Sequence, residues 1–404
     1  MKKELDRKYA KVILSKCFAP GNKKLLIECV SEDMKDFVDT VYEVAKEMGY
    51  EDIKIKYEDT KKKIEYINNT NIEDIEINEY LDRSIWDECA KEKYCILHIH
   101  SYIPTDIKVD PEKMKKATEL MNSTRPYYKN NALKYAFPWC IVDYPNKEWA
   151  DLLFENDPNS FYKLYEAIIS VCMADKEDPE KEWERVIENS NKYKEYINNL
   201  EADKMHITSD KGTDLYVGML NNYRFLNMDK ADGLGKGYMV NFPSYEIFTC
   251  PNFRDVNGVV YNTKPLIFNN QIVDNFMLKF KDGCVVDYKA EKGEEHLANL
   301  LSVKGANSLG EFAIVEHDSP ISNTGLVFYS TLFDENASIH LALGKGNKTA
   351  MKDASKYTIE ELYELGINDS DMHVDFMIGD ETTNIEAIKG KEKKLIFKNG
   401  KFII

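Results

Sequence analysis

Residues 24–57 read KLLIECVSEDMKDFVDTVYEVAKEMGYEDIKIKY, and they set the architecture expected for the first half of the chain. The stretch begins with a short apolar strand, residues 24–30. Ser31 is placed to cap a helix whose apolar residues recur with a period close to 3.6, and Gly49 is placed to end that helix. Ile53 and Ile55 then alternate with lysines, which is typical of a half-exposed strand. The stretch therefore predicts a strand, a helix and a second strand.

The same alternation of strands and helices continues towards residue 200. Strand patterns recur at residues 94–100 (YCILHIH) and 135–142 (YAFPWCIV), with helical patterns near 79–92 and 110–123. Strands that alternate with helices predict an α/β domain with a largely parallel, helix-covered sheet. No Gly-rich turn follows the first strand, so a dinucleotide site of the Rossmann type is not supported.

A long charged helix at residues 178–200, with Pro179 in its first turn, marks the expected domain boundary. We therefore predict an α/β N-terminal domain at residues 1–200 and an α+β, β-rich C-terminal domain at residues 201–404. Short alternating segments support the second assignment, together with one helical stretch near 294–303. Three dipeptides in this half predict tight β-hairpins, namely Asn257-Gly258, Asp282-Gly283 and Asn399-Gly400.

Composition limits the class of partner and compartment. The chain has 404 residues and a formal net charge of −16, which disfavours binding to the phosphate backbone of nucleic acids. Its eight cysteines form no CxxC pair and mostly lie in apolar runs, as in proteins of a reducing compartment. No signal peptide is recognisable, and no apolar run is long enough to span a membrane. We expect a soluble, cytoplasmic protein with neither a nucleic-acid nor a membrane partner.

Candidate metal ligands cluster in the last third of the chain. The segment TLFDENASIH (331–340) sets Glu335 and His340 within apolar sequence, where a carboxylate is costly to bury without a partner or a cation. His373 and Asp375 would share one face of a strand, because residues two apart in a strand point to the same side. Carboxylates and imidazoles together are typical ligands of divalent cations.

The residues alone leave a second interpretation open, in which these side chains are hydrogen-bonded core residues. The interval from Glu335 to His340 fits neither one helix face nor one strand face, so a turn or helix start must lie between them. Glu246 and Glu311 each precede an apolar, strand-like run. His98 and His100 end a predicted strand, but no acidic residue is spaced to join them, and we interpret them as structural.

Several longer segments, taken together, resemble a known family. The chain is similar to the aminopeptidase T and aminopeptidase PepS family of metallo-aminopeptidases, which are activated by cobalt, zinc or magnesium. The resemblance covers essentially the whole chain, and it rests on PWCIVDYPNKEWA (138–150), DPEKEW (178–183), GTDLYVGM (212–219), NFPSYEIFTCP (241–251), SLGEFAIV (308–315), the segment 318–344 and HVDFMIG (373–379).

The resemblance implies an activity and a set of site residues. Family members remove N-terminal residues from short peptides with a free N-terminus, and they are homodimers with an α/β N-terminal and a β-rich catalytic domain. The family's ligands for two divalent ions per subunit (Zn²⁺, Co²⁺ or Mg²⁺) fall on Glu246, Glu311, Glu335, His340, His373 and Asp375. Glu311 is also the expected general base, since a carboxylate near a metal-bound water can accept its proton.

One position departs from the family pattern. The family carries a catalytic tyrosine seven residues after the first metal-binding histidine, and here HLALGKGN places Asn347 there. Losing an oxyanion donor typically costs about 10²–10³ in rate. The alternative to an active aminopeptidase is therefore a family member with weak or lost catalysis that acts as a metal- or peptide-binding protein.

Overall fold

A computed structural model describes residues 2–102, 110–155, 157–228, 238–268 and 271–404. The chain forms two compact units, of which the first comprises Met1–Glu184 with Asp229–Ser244 and the second comprises Arg185–Met228 with Tyr245–Ile404. The division falls inside the long charged helix, Pro179–Leu200, and the sequence-based boundary at residue 200 lies at the end of the same helix.

The chain up to the end of that helix alternates helices with short strands. These elements are α1 (Lys2–Cys17), β1 (Lys24–Cys29), α2 (Lys35–Glu47), β2 (Asp52–Tyr57), α3 (Thr60–Asn69), α4 (Ser84–Lys91), β3 (Cys95–His100), α5 (Pro111–Ser123), α6 (Pro126–Asn131), β4 (Trp139–Asp143), α7 (Lys147–Leu153), α8 (Ser160–Val171) and α9 (Pro179–Leu200).

The rest of the chain is mostly strands. These elements are β5 (Lys204–Thr208), β6 (Asp214–Met219), β7 (Leu226–Asn227), β8 (Asn241–Phe242), β9 (Ile247–Thr249), β10 (Pro251–Tyr261), β11 (Leu266–Phe268), β12 (Gln271–Lys281), β13 (Cys284–Lys292), α10 (Glu294–Ser302), β14 (Leu309–Ile314), α11 (Thr331–Asp334), β15 (His340–Gly344), α12 (Ile359–Glu364), β16 (His373–Met377), β17 (Asn384–Lys389), β18 (Glu392–Lys398) and β19 (Lys401–Phe402).

In the first unit, five strands of the described chain form a parallel sheet in the order β2-β1-β3-β4-β8. The Ser31 hydroxyl accepts a hydrogen bond from the backbone N–H of Asp33 at 3.2 Å and opens a 3₁₀ turn that leads into α2. The apolar side of α2 is buried through Phe37 and Val41. Gly49 follows the helix with a φ of +92°, a conformation that favours glycine. The predicted helix-covered parallel sheet is thus present.

In the second unit, the described strands form two antiparallel sheets. Nine strands make the larger sheet, eight of them in the order β11-β12-β10-β6-β5-β17-β18-β19, and the ninth, β13, also pairs with β12. Five strands make the smaller sheet, in the order β16-β15-β14-β9-β7. Alternation along the smaller sheet separates its two faces, since side chains in a strand point alternately to either side. Phe312, Leu341 and Phe376 lie on one face and are fully buried in the core of the unit.

Two of the three predicted hairpin turns are confirmed. Asp282-Gly283 joins β12 to β13, and Asn399-Gly400 joins β18 to β19, with positive φ at both residues of each pair. The prediction for Asn257-Gly258 is wrong, because this pair lies inside β10 and pairs with strands on both sides. A Cβ at Gly258 would lie 2.1 Å from the carbonyl oxygen of Asp214, so close approach of the neighbouring strand, rather than a turn, requires glycine there.

The cysteines are free thiols, and only Cys284 among the eight is exposed. No helix within the described residues combines the length and the apolar character that a membrane crossing needs.

Candidate metal centre

The smaller sheet of the second unit presents ionisable side chains on the face opposite its core. Glu311 of β14, His340 of β15 and Asp375 of β16 each precede a core residue by one position, so the pleat directs them away from the core. The strand register places Ala342 between Glu311 and Asp375. A methyl group at this central position leaves room between the two carboxylates.

The remaining candidates border the same face. Glu246 directly precedes β9, which pairs with β14, and His373 begins β16. Glu335 follows α11 in a 3₁₀ turn of residues 335–337, and the chain then extends into β15 at His340. The predicted change of structure between Glu335 and His340 is therefore confirmed.

The ligand atoms form two overlapping groups. His340 Nε2 lies 3.2 Å from Glu246 Oε2 and 3.8 Å from Glu311 Oε1. His373 Nε2 lies 3.5 Å from Asp375 Oδ1 and 3.9 Å from Glu311 Oε2. Within each group the ligand atoms are all within 4.8 Å of one another, and Glu311 belongs to both. Its two oxygens thus face different histidines.

Hydrogen bonds fix the orientation of both imidazoles. Nδ1 of His340 donates to the Ser338 carbonyl at 3.2 Å, and Nδ1 of His373 donates to the Lys345 carbonyl at 2.8 Å. A carbonyl can only accept, so in each ring Nδ1 carries a hydrogen and Nε2 is turned towards the carboxylates. Metal-binding histidines are commonly held by their second nitrogen in this way.

Three buried atoms at this centre have no hydrogen-bond partner: Glu246 Oε2, His340 Nε2 and Asp375 Oδ1. Buried polar atoms are nearly always satisfied in folded proteins, and an orphan costs roughly 1–3 kcal/mol. A cation in each of the two groups would satisfy all three, since each atom can offer a lone pair. The donor set of oxygens and imidazole nitrogens, without a thiolate, suits Zn²⁺, Co²⁺ or a harder divalent ion.

The electrostatics of the centre agree with the need for positive charge. Burial, together with the nearby carboxylates of Glu246 and Asp375, raises the pKa of Glu335 well above its usual range. Burial alone would lower the pKa of His373, but its contact with Asp375 raises it to about 10. The pKa of His340 is likewise raised, against the effect of burial, by Glu246 and Glu311. Without a cation, bound protons reduce the repulsion between these carboxylates. Metal binding would displace those protons.

Five of the six predicted ligand positions therefore form the two groups, while Glu335 belongs to neither and interacts electrostatically with Glu246, Asp375, His340 and Glu311. Sequence reasoning missed Asn336, whose Oδ1 accepts from the backbone N–H of Tyr245 at 2.7 Å and whose Nδ2 donates to the Leu332 carbonyl at 3.2 Å. Asn336 thereby ties the residue before Glu246 to the turn that carries Glu335. In the sequence, the only sign that Asn336 belongs to the site is its position directly after Glu335.

Asn347 lies in the loop that follows β15. Its Oδ1 accepts from the backbone N–H of Thr349 at 3.1 Å and from the Thr349 hydroxyl at 2.7 Å, which caps a short 3₁₀ turn. The same loop carries Lys345, whose carbonyl holds His373. The loop thus contacts the metal centre through Lys345, while the side-chain oxygen of Asn347 caps the 3₁₀ turn.

The interpretation of His98 and His100 as lacking an acidic neighbour is wrong. Glu28 on β1 is the direct register partner of His98 on β3, and its Oε2 lies 2.8 Å from His98 Nδ1. Glu28, His98 and His100 form a further group of ligand-type atoms within 4.8 Å of one another. The acidic residue is seventy positions away in the chain, so spacing within the sequence could not reveal it.

Comparison with known proteins gives consistent matches along the chain. The sequence matches the family described as thermophilic metalloprotease (M29) over residues 2–402. It is 36% identical to aminopeptidase 2 of Geobacillus stearothermophilus, over 78% of this chain and 77% of that protein. It is 32% identical to aminopeptidase AmpS of Bacillus subtilis (strain 168), over 92% of this chain and 91% of that protein.

A solved structure also matches. Wild-type AmpT from Thermus thermophilus superposes with a TM-score of 0.87 at 27% sequence identity, and the match covers 100% of both chains.

Proposed function

The chain belongs to the thermophilic metalloprotease family M29, and from this premise we propose that it releases N-terminal residues from peptides at a centre of two divalent metal ions. The resemblance drawn from its motifs is confirmed, and the protein is a metallo-aminopeptidase, a hydrolase of the exopeptidase class. Peptides with a free N-terminus are its substrates in this proposal.

The observation that carries the proposal is the sharing of Glu311 between two ligand groups that contain orphaned buried atoms. We assign one ion to Glu246, Glu311 and His340 and the second to Glu311, His373 and Asp375. Glu335 completes the set, since its carboxylate interacts with members of both groups. Zn²⁺, Co²⁺ and Mg²⁺ are the candidate ions.

The residues of the chain then have separate tasks. Bound ions would lower the pKa of a coordinated water and polarise the scissile carbonyl. His340 and His373 keep Nε2 directed into the centre through their Nδ1 hydrogen bonds. Glu311 is proposed as the group that takes the proton of the attacking water and passes it to the leaving amine. In this role one of its oxygens would have to be free of a metal ion when it accepts the proton.

Three further assignments are proposals that follow from the family resemblance and from composition. We place the α/β domain at residues 1–200 and the β-rich catalytic domain at residues 201–404, and we propose a cytoplasmic protein. We also propose a homodimer, for which light scattering should give twice the 46.8 kDa mass of one chain. A mass of one chain at micromolar concentration would contradict the dimer.

The direct test of the function is hydrolysis of an aminoacyl-p-nitroanilide by purified protein loaded with Co²⁺ or Zn²⁺. We expect release of p-nitroaniline from the substrate with a free α-amine and none from its N-acetylated form, because an exopeptidase of this kind must bind the amine. Equal hydrolysis of both substrates would contradict aminopeptidase action. No hydrolysis of either, with metal bound, would favour the weak-catalysis alternative.

That alternative has an observation in its favour, because Asn347 replaces the family's tyrosine and its side-chain oxygen is already used to cap Thr349. If residue 347 lies near the reacting carbonyl, Asn347→Tyr adds an oxyanion donor. We expect kcat to rise about tenfold or more with little change in KM, since such a donor acts mainly in the transition state.

Asn347→Ala is the matched control for this prediction, because it removes the cap without adding a hydroxyl. Steady-state kinetics on the same p-nitroanilide should separate the two variants. If both leave kcat unchanged, residue 347 has no catalytic role and the correspondence with the family tyrosine fails at this position.

A further inference from the structure

A polar cluster lies at the carboxyl end of the parallel sheet in the first unit. On the sheet face covered by α4, the register partners Leu26 and Ile96 are apolar and packed in a core. The next pair on that face is Glu28 and His98, and His100 follows two residues later. Along this face the side chains change from apolar to ionisable towards the carboxyl ends of the strands. This change suggests a binding site, because core packing alone would continue the apolar pattern.

The position has a topological meaning. In the order β2-β1-β3-β4-β8, the chain passes from β1 to β2 on one side and then to β3 on the other side of β1. The strand order therefore reverses between β1 and β3, the two strands that carry Glu28 and His98. In open α/β sheets, ligands bind in the crevice outside the carboxyl ends of the strands at such a switch point.

Hydrogen bonds and an ion pair build the base of the cluster. His98 Nδ1 donates to Glu28 Oε2 at 2.8 Å, and His98 Nε2 lies 2.8 Å from the Tyr128 hydroxyl. Glu58, which directly follows β2, forms an ion pair with Arg83, and both residues are more than nine-tenths buried. Both nitrogens of His98 are therefore already occupied.

Trp86 on α4 connects these groups. The guanidinium of Arg125 lies 4.6 Å from the centre of the Trp86 ring, and that of Arg83 lies 5.5 Å from it. The His98 ring meets the indole edge-on at 5.0 Å. We call the set gathered around Trp86 the switch-point cluster: Glu28, Glu58, Arg83, Trp86, His98, Arg125 and Tyr128.

Orphaned polar atoms single out this cluster. In the described part of the chain, seven buried side-chain atoms have no hydrogen-bond partner. Three belong to the metal centre, where the proposed cations would account for them, and one is the hydroxyl of Ser209. The other three are Glu58 Oε1, Trp86 Nε1 and Arg125 Nε, all in the switch-point cluster. The same reasoning that indicates a missing ion at the metal centre indicates a missing ligand here.

The chemistry of the three orphans excludes a metal ion as their partner. Trp86 Nε1 and Arg125 Nε are N–H donors, so they need an acceptor, while Glu58 Oε1 needs a donor. Glu28, His98 and His100 are close enough for a metal, but Arg83 and Arg125 place positive charge beside them. The missing partner must bring an acceptor, preferably anionic, and a donor of its own.

We propose that the switch-point cluster binds a small oxyanion that also carries a hydrogen-bond donor, such as an α-hydroxy or α-amino carboxylate or hydrogenphosphate. Its oxygens accept from Arg125 Nε and Trp86 Nε1, and its hydroxyl or amino group donates to Glu58 Oε1. Glu58 also lines a cavity of about 760 Å³ at the carboxyl ends of β1, β2 and β4. This site is independent of the proposed peptidase reaction.

Isothermal titration calorimetry of the metal-loaded full chain tests the proposal with five probes: L-lactate, glycine, sodium phosphate, sodium sulfate and sodium acetate. Sulfate and acetate carry no donor at neutral pH and serve as matched controls for the other three. We expect saturable binding of at least one donor-bearing probe in the millimolar range or tighter. Sulfate and acetate should bind at least tenfold more weakly. Equal binding of the controls, or no binding of any probe, would overturn the proposal.

Two variants locate the binding. Trp86→Phe removes the indole N–H but keeps an aromatic ring, and Arg125→Lys keeps the charge but removes Nε. Each should weaken binding about tenfold or more, because a lost hydrogen bond to a charged partner has an effect of this size. Ser209→Ala removes the isolated orphan and should leave the affinity unchanged.

Amino acids and phosphate can also bind metal ions, so the variants must show whether a probe binds at the switch-point cluster or at the metal centre. Affinity that is unchanged in both Trp86→Phe and Arg125→Lys would belong to the metal centre and would overturn the proposal. Circular dichroism checks that each variant is folded. If one variant does not fold, the other alone is sufficient to locate the binding. Peptidase activity is not the readout, so failure of this proposal and failure of the proposed function remain distinguishable.

Discussion

Replacement of Glu311 by glutamine is expected to lower kcat/KM by on the order of 10³-fold or more, because metal ions supply several kcal/mol of transition-state stabilisation and each 1.4 kcal/mol is tenfold. The two oxygens of Glu311 face His340 and His373, so the amide would weaken both ligand groups at once. An amide also cannot take up the proton that the proposed mechanism assigns to this residue.

Glu316→Gln is a matched control for this variant. Glu316 follows β14 by two residues and is partly buried, and it accepts from the backbone N–H of Phe402 at 3.0 Å, away from the six ligand positions. Its replacement should change kcat/KM less than twofold. If Glu311→Gln retained a tenth or more of the activity while remaining folded, the assignment of a shared ligand would be wrong.

Removal of metal by a chelator, followed by desalting, is expected to abolish hydrolysis of the p-nitroanilide. Addition of Co²⁺ or Zn²⁺ should restore it, because three buried atoms at the centre have no hydrogen-bond partner in the described structure and each can offer a lone pair to an ion. Metal binding should also raise the free energy of unfolding, by about 4 kcal/mol when the free ion is a thousandfold above its Kd. Thermal unfolding thus gives a second readout that does not depend on catalysis.

The Glu311→Gln variant is the control for the thermal measurement. Its unfolding temperature should respond less to added Co²⁺ than that of the unchanged protein, since both ligand groups lose a carboxylate. Full activity after chelation, with elemental analysis showing no metal, would contradict a metal-dependent reaction.

Local patterns explain what the sequence predicted correctly. The alternation of strand and helix over residues 24–57 predicted α2 and the strands on either side of it, because periodicity and capping act within a few residues. Alternation also placed His373 and Asp375 on one strand face, which the structure shows in β16. The resemblance to a known family supplied Glu246 and Glu311, whose individual patterns were weak.

Contacts between distant parts of the chain explain what the sequence did not reveal. Glu28 reaches His98 because two parallel strands are in register, and no spacing rule connects positions so far apart. Asn257-Gly258 has the composition of a turn, but the backbone of β6 lies so close that glycine is needed inside a strand. Asn336 accepts a hydrogen bond from the backbone of Tyr245, 91 positions away, and its residue type alone does not indicate this contact.

Six residues of the second unit are proposed to hold two divalent ions in one centre. Elemental analysis of protein loaded with Co²⁺ and then desalted tests this claim most directly. We predict about two ions per chain for the unchanged protein, as expected for a two-metal hydrolytic site, and fewer for Glu311→Gln. No bound metal in the folded, unchanged protein, or the same metal content in both proteins, would contradict it.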